Sequence, residues 1–294
     1  MHVRFSGFLA LYFIGGAGIL DSVLPVPGKL LTLGAAALFV AGALLSPRAA
    51  SPEGHLVLVG GGPTPSVVFT RTLALSGGRA AMVAVLPQTY PNDSIGDAAV
   101  EMWKQLGVRE IVKVSLADPA AALAVLQKAT LIWMPGGFQG LLMKTLAGTP
   151  IPDEIRKRLT EGATIGGASA GAAAMSRTMI ADETTPEGVG IAGATTDVGL
   201  GLWPEAIVSP HFSERRRLNP LLAILRDHPG LLGVGIDEGT AVIVSDGELE
   251  VMGRGTVVIV TARRAASGRA SSDSTTPTQS PVRTLKSGMR FRYQ

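Results

Sequence analysis

The chain has 294 residues, 46% of them hydrophobic and 17% charged, with a formal net charge of +3 and no cysteine. That length holds one large domain with a buried core, domains usually running ~100–200 residues. The missing cysteine excludes a thiol nucleophile, disulfides, a lipidated cysteine anchor and cysteine-ligated zinc, and no His-x-Glu-x-x-His cluster is present, so neither a metal nor a cofactor is expected.

The first fifty residues read as a leader rather than as fold. Phe5 to Leu20 and Leu30 to Leu45 are apolar, separated by Asp21 and Pro25-Val26-Pro27. Both are short against the ~20 residues that span a bilayer. The second, preceded by Lys29, has the form of a signal-peptide core. Residues 1–50 therefore predict export to the periplasm or the extracellular space, or membrane attachment through residues 5–45; a greasy core helix is the alternative.

From His55 onward short apolar runs alternate with amphipathic stretches. His55–Val59, Ala81–Leu86, Ile111–Val114 and Thr130–Met134 fit strands buried on both faces. Pro65–Leu75, Asp93–Leu106, Pro119–Lys128, Gln139–Leu146 and Pro152–Glu161 fit the helices between them, several opened by proline or aspartate. Repeated units of this kind predict an α/β fold with a parallel sheet covered by helices on both sides. Gly60-Gly61-Gly62-Pro63-Thr64 follows the first strand but has neither GxGxxG nor a GK[ST] ending. It reads as a rim that brings backbone close to a site.

Gly167-Ala168-Ser169-Ala170-Gly171 is the most informative segment. A serine hydroxyl attacks an acyl group only when held clear on a tight strand-to-helix turn, which requires small flanking residues. The same turn aims the Ala170 N–H and the start of the next helix at the place where negative charge develops. A small-residue turn that merely packs a helix on a sheet has the same pattern. Such a serine needs a base, and His211 is the best placed of four histidines: it ends the apolar run Ala206-Ile207-Val208, at a strand terminus where α/β enzymes keep their chemistry. His2 lies in the leader, His55 opens the first strand, and His228 sits in Arg-Asp-His-Pro-Gly, where a helix should end. A carboxylate should orient His211; Asp182, Glu183, Glu187 and Asp197 all lie between serine and histidine, and spacing does not choose among them. Arg215 and Arg217 lie within about two helical turns of His211, where they could pair with a substrate carboxylate or simply face water.

Thr240 to Val260 alternates short strands around the hairpin turn Ser245-Asp246-Gly247, predicting an antiparallel C-terminal edge. Residues 263–281 are rich in Ser, Thr, Gly and Pro and read as a flexible linker, with residues 282–294 returning to the domain as a strand. Seven Arg and Lys residues between Arg263 and Arg292 face only Asp273, but with Phe291 alone interleaved among them they do not indicate nucleic acid.

Between Leu56 and Val260 the chain resembles the cyanophycinase-like members of the S51 serine peptidases, a family that includes peptidase E. The resemblance rests on Gly60-Gly61-Gly62, Pro135-Gly136-Gly137-Phe138-Gln139, Gly166 to Ala172, His211-Phe212 with its arginines, and Gly235-Ile236-Asp237-Glu238-Gly239-Thr240-Ala241, in that order. It implies a parallel-sheet three-layer sandwich of the class I glutamine amidotransferase-like (flavodoxin-like) type over residues 55–262. It implies a Ser-His-Glu triad of Ser169, His211 and Glu187, an oxyanion hole of Gly137 and Ala170, and substrate contacts from Gln139, Arg215 and Arg217. The partner would be a peptide or polyamide substrate, with a homodimer as a further option. The chain departs from the family's Asp-Gln-His-Phe, Arg-x-Arg-x-x-Arg-Leu and Gly-Gly-Asn-Gln by carrying Pro210, Pro220 and Phe138. Two other readings stay open: an α/β-hydrolase esterase, with its order of serine, acid, histidine, and a binding module that kept the pocket without turnover.

Overall fold

Each apolar run of the first half becomes a strand whose successive side chains point to opposite faces. The computed structural model describes residues 54–92, 94–181, 195–261 and 282–293; the leader, the linker, Asp182, Glu183 and Glu187 lie outside the described residues. The fold below belongs to the unit Pro47–Gln294. In chain order it runs β1 (His55–Val59), α1 (Ser66–Leu75), β2 (Met82–Val85), α2 (Ser94–Gln105), β3 (Glu110–Lys113), α3 (Pro119–Leu126), β4 (Leu131–Met134), α4 (Gln139–Leu146), α5 (Ile151–Thr160), β5 (Thr164–Ala168) and a one-turn α6 (Ala170–Ala173). There follow β6 (Thr178–Ile180), β7 (Thr196–Val198), β8 (Ala206–Pro210), α7 (Leu218–Asp227), β9 (Leu232–Ile236), β10 (Thr240–Ser245), β11 (Glu248–Gly253), β12 (Thr256–Thr261), β13 (Val282–Lys286) and β14 (Arg290–Arg292).

The main sheet has the order β14-β11-β10-β1-β5-β4-β2-β3. Its β1, β5, β4, β2 and β3 are parallel, and β10, β11 and β14 add an antiparallel edge. Leu56 and Leu58 of β1, and Ile132 and Met134 of β4, join a core with Leu126, Leu142 and Ile155 of α3, α4 and α5. Their neighbours Val57, Val59, Leu131 and Trp133 face the opposite core, with Val68 of α1 and Trp103 of α2. There Phe69, Trp103 and Trp133 meet edge to face, with centroids 5.3–5.9 Å apart. Helices thus cover both faces, as the alternating runs predict. β3 departs from the expectation of two-sided burial, because it is the outermost strand: Glu110 is exposed and Ile111 to Lys113 are only partly covered.

The sequence reading does not anticipate a second sheet. β8 and β9 run parallel, β12 joins antiparallel and β13 closes the order β13-β12-β9-β8. The C-terminal edge is therefore divided: β10 and β11 form the hairpin at Asp246-Gly247 on the main sheet, while β12 crosses to the second. Residues 282–292 are divided likewise, β13 pairing with β12 and β14 with β11. α7 packs Leu221, Ile224 and Leu225 against Ile207, Phe212 and Val260.

At the C-terminal end of β5 the turn into α6 presses against β4. A Cβ on Gly171 would collide with the Met134 carbonyl oxygen and lie 2.7 Å from its carbon. Gly171→Ala should therefore destabilise the domain by about 1–3 kcal/mol, the usual cost of overpacking, read as a lowered urea midpoint at unchanged slope; an unchanged midpoint would show that this turn can relax.

Candidate active site

The elements bring their C-terminal ends to one place. Ser169 follows β5, Gly60 to Gly62 follow the adjacent β1, and Gly136-Gly137 follow β4 on the other side. His211 follows β8 and Asp237-Glu238 follow β9, its parallel neighbour, with Pro210 level with Ile236. Ligand sites of open α/β sheets lie at such strand ends.

Ser169 is half-buried, at φ +51° and ψ −110°, a conformation a side chain rarely adopts. Its N–H donates to the Val59 carbonyl at 2.9 Å, which fixes the turn. α6 is only one turn long, so the expected helix start reduces to the Ala170 N–H and little of a dipole. His211, also at positive φ (+50°), is 9% exposed, and its N–H donates to the Gly60 carbonyl at 2.9 Å. The imidazole Nε2 lies 2.8 Å from Ser169 Oγ, and Nδ1 lies 2.6 Å from Glu238 Oε1. Serine, imidazole and carboxylate form one hydrogen-bonded chain.

Gly61, at φ +102°, shows why glycine follows β1: a Cβ there would fall 2.5 Å from His211 Nε2 and collide with Cε1. The glycine run is the close-approach rim expected of it. Behind it, Asp237 accepts bonds from the Ser213 N–H (3.1 Å), the Thr256 N–H (2.9 Å) and the Thr256 hydroxyl (2.6 Å). Burial alone would raise its pKa, but these bonds outweigh it and hold the carboxyl below the usual value. Glu214 Oε1 accepts from the Glu238 N–H at 3.2 Å.

The remaining expected site residues fall in two groups. Gly137, at φ +141°, lies on the loop after β4, where a Cβ on the preceding Gly136 would sit 3.5 Å from Ser169 Cβ, and Ala170 directly follows Ser169 on the turn after β5. Arg215 is exposed. Arg217, by contrast, is 7% exposed, and its Nη1 donates to the Pro210 carbonyl at 2.8 Å, so this guanidinium braces the loop beside His211. Gln139 opens α4 and its Nε2 donates to the Ile180 carbonyl at 3.1 Å, tying α4 to β6. Pro210 ends β8 without disturbing the histidine, and Phe138 sits on the rim.

Of the four carboxylates considered in the sequence, Asp197 lies on the exposed β7 and the others lie outside the described residues. Glu238, which meets His211, lies after the histidine in the chain, outside the stretch between serine and histidine where a carboxylate is expected. The available signal was the one used for His211: Glu238 stands just after an apolar strand, β9.

The profile of peptidase family S51 matches residues 56–252. The chain is 38% identical over 216 residues to a cyanophycinase of Geminocystis herdmanii, covering 69% of this chain and 79% of that one. It is 37% identical over 225 residues to a cyanophycinase of Synechococcus elongatus, covering 72% and 70%. The chain belongs to peptidase family S51. It is a cyanophycinase-like, serine-type peptidase. The fold agrees: a peptidase from an acI-B1 Actinobacterium superposes with a TM-score of 0.60 at 23% identity over 82% of this chain and 97% of its own. A putative peptidase E protein from Listeria monocytogenes EGD-e superposes with 0.52 at 18% identity, over 69% and 99%.

Burial lowers the pKa of His211 from its ordinary 6.5; the bond to Glu238 opposes this, and the charges of Arg215 and Arg217 add to the lowering. A base works only while neutral, so kcat/KM should fall with acid through a midpoint below 6.5. Arg215→Ala removes a cation and should move that midpoint upward, measured as a pH–rate profile; a midpoint unmoved or moved downward would dissociate Arg215 from the imidazole. Gly61→Ala should displace the ring and lower kcat about 10- to 100-fold, a 1 Å misplacement being worth about 10²-fold, with the circular dichroism spectrum retained.

Proposed function

We propose that this peptidase hydrolyses amide bonds of Asp-containing peptides or cyanophycin-like polymers by acyl transfer. Ser169 is the nucleophile, His211 the general base and then acid, and Glu238 the carboxylate that orients the imidazole. The observation that carries the reading is the chain Ser169 Oγ–His211 Nε2 at 2.8 Å and His211 Nδ1–Glu238 Oε1 at 2.6 Å. Glu238 accepts a hydrogen bond from Nδ1–H, which leaves Nε2 unprotonated and free to take the serine proton as Oγ bonds to the scissile carbonyl carbon. The Gly137 and Ala170 N–H groups receive the oxyanion. His211 gives its proton to the amine as the C–N bond breaks, and a water then repeats the sequence on the acyl-serine. Arg215, exposed beside the base, is the group to meet a substrate carboxylate, while Arg217 and Gln139 hold the surrounding backbone.

The order serine, histidine, acid argues against the α/β-hydrolase esterase, whose acid precedes its histidine. The complete serine–imidazole–carboxylate chain favours an enzyme over a module without turnover. The cyanophycinase names belong to the relatives and motivate the substrate class. Export is part of the same proposal and rests on the apolar runs within residues 5–45.

Mass spectrometry of the leader-free protein with cyanophycin, β-aspartyl dipeptides and α-aspartyl dipeptides tests the reading. Ser169→Ala should lower kcat at least ~10³-fold, and Glu238→Gln about 10²- to 10⁴-fold, with folding retained. Undiminished turnover in Ser169→Ala would refute the mechanism. Loss in Glu187→Gln with turnover kept in Glu238→Gln would move the acid to Glu187.

A further inference from the structure

Two large aromatic side chains stand half out of the fold on the rim of this site. Tyr90 is 41% exposed and Phe138 37% exposed. Their rings stack, with centroids 5.9 Å apart and planes 17° from parallel. Phe138 directly follows Gly137, and Tyr90 directly follows Thr89, which is fully buried. Thr89 locks the two loops together: its hydroxyl donates to the Gly136 carbonyl at 2.8 Å, and its own carbonyl accepts the Phe138 N–H at 2.7 Å. The pair is thus a fixed surface in register with the backbone proposed to bind the oxyanion. Half-exposed rings held this way gain by covering their open faces.

The strand order says which half of a substrate reaches them. Ser169 follows β5, which lies between β1, followed by the Gly61 that backs the His211 ring, and β4, which leads into Phe138. His211 must reach the leaving amine, so the amine departs on the β1 side. The ring pair is on the β4 side, with the acyl half. Resting on the peptidase reading above, we infer that Phe138 and Tyr90 form a subsite for an aromatic group carried on the acyl side of the scissile carbonyl. A ring laid on this surface removes apolar area from water on both partners, about tenfold in affinity for some 50–60 Å² covered. A guanidinium on an exposed ring keeps its hydration and gains about two- to fivefold.

The test uses N-benzoyl- and N-acetyl-β-aspartyl-arginine, which differ only in that acyl-side group. By calorimetry on Ser169→Ala, the benzoyl ligand should bind about tenfold more tightly. The ratio should fall to about one when Phe138→Ala is added and persist with Phe138→Tyr. Equal binding of the two ligands, no detectable binding of either, or an equal loss of both in the Phe138→Ala background would overturn the subsite. Labelling of Ser169 in the unsubstituted protein by an alkyl fluorophosphonate reads the hydrolase separately. Labelling with a ratio of one removes the subsite alone; a tenfold ratio without labelling keeps the subsite and removes the proposed chemistry.

Discussion

One backbone hydrogen bond, from the His211 N–H to the Gly60 carbonyl at 2.9 Å, joins the halves of the site. Ser169 follows β5 of the main sheet, His211 follows β8 of the second, and Glu238 lies on the turn that carries the chain from β9 of the second to β10 of the main sheet. Their separation is therefore set by how the sheets meet, and not within either one. Gly60 is itself held in the main sheet, where its N–H donates to the Thr240 carbonyl at 2.9 Å as a further rung of the β1–β10 ladder. A 2.8 Å contact between side chains 42 residues apart requires such a joint, because a shift of about 1 Å would open it.

The joint also holds strain. Ser169 and His211 both sit near φ +50°, where an ordinary residue costs of order 1–3 kcal/mol. Neither conformation would survive in a free loop. The bond from Ser169 N–H to Val59 on one side and the bond to Gly60 on the other keep both in place. The glycines between them are therefore structural, because they let two main chains approach an imidazole that a single methyl group would push away.

How much of this was legible varied with the physics involved. Strands β1, β2 and β4 and helices α1 to α5 announced themselves through alternation and first-turn residues, since a sheet covered on both faces must be apolar along its length. The pairing of Ser169 with His211, 2.8 Å apart, was legible because small neighbours expose a side chain at a turn and both residues follow strand ends. Glu238 was not chosen, although its segment was noticed, because pairing of β8 with β9 is long-range and no local pattern states it. The second sheet was hidden for the same reason: β12 and β13 look like any edge strands, and only their partners distinguish them. Arg217 looked like a ligand for substrate, yet it lies buried on the Pro210 carbonyl, a difference that charge patterning cannot register.

Asp237 carries a consequence beyond the carboxylate next to it. By gripping the Ser213 and Thr256 backbones it anchors the loop at its root, while the side chains of Ser213 to Arg216 remain in solvent. The backbone of that loop is thereby set from below by a buried carboxylate, and not by its exposed crest, so the path of the main chain away from His211 does not depend on Arg215 or Arg216.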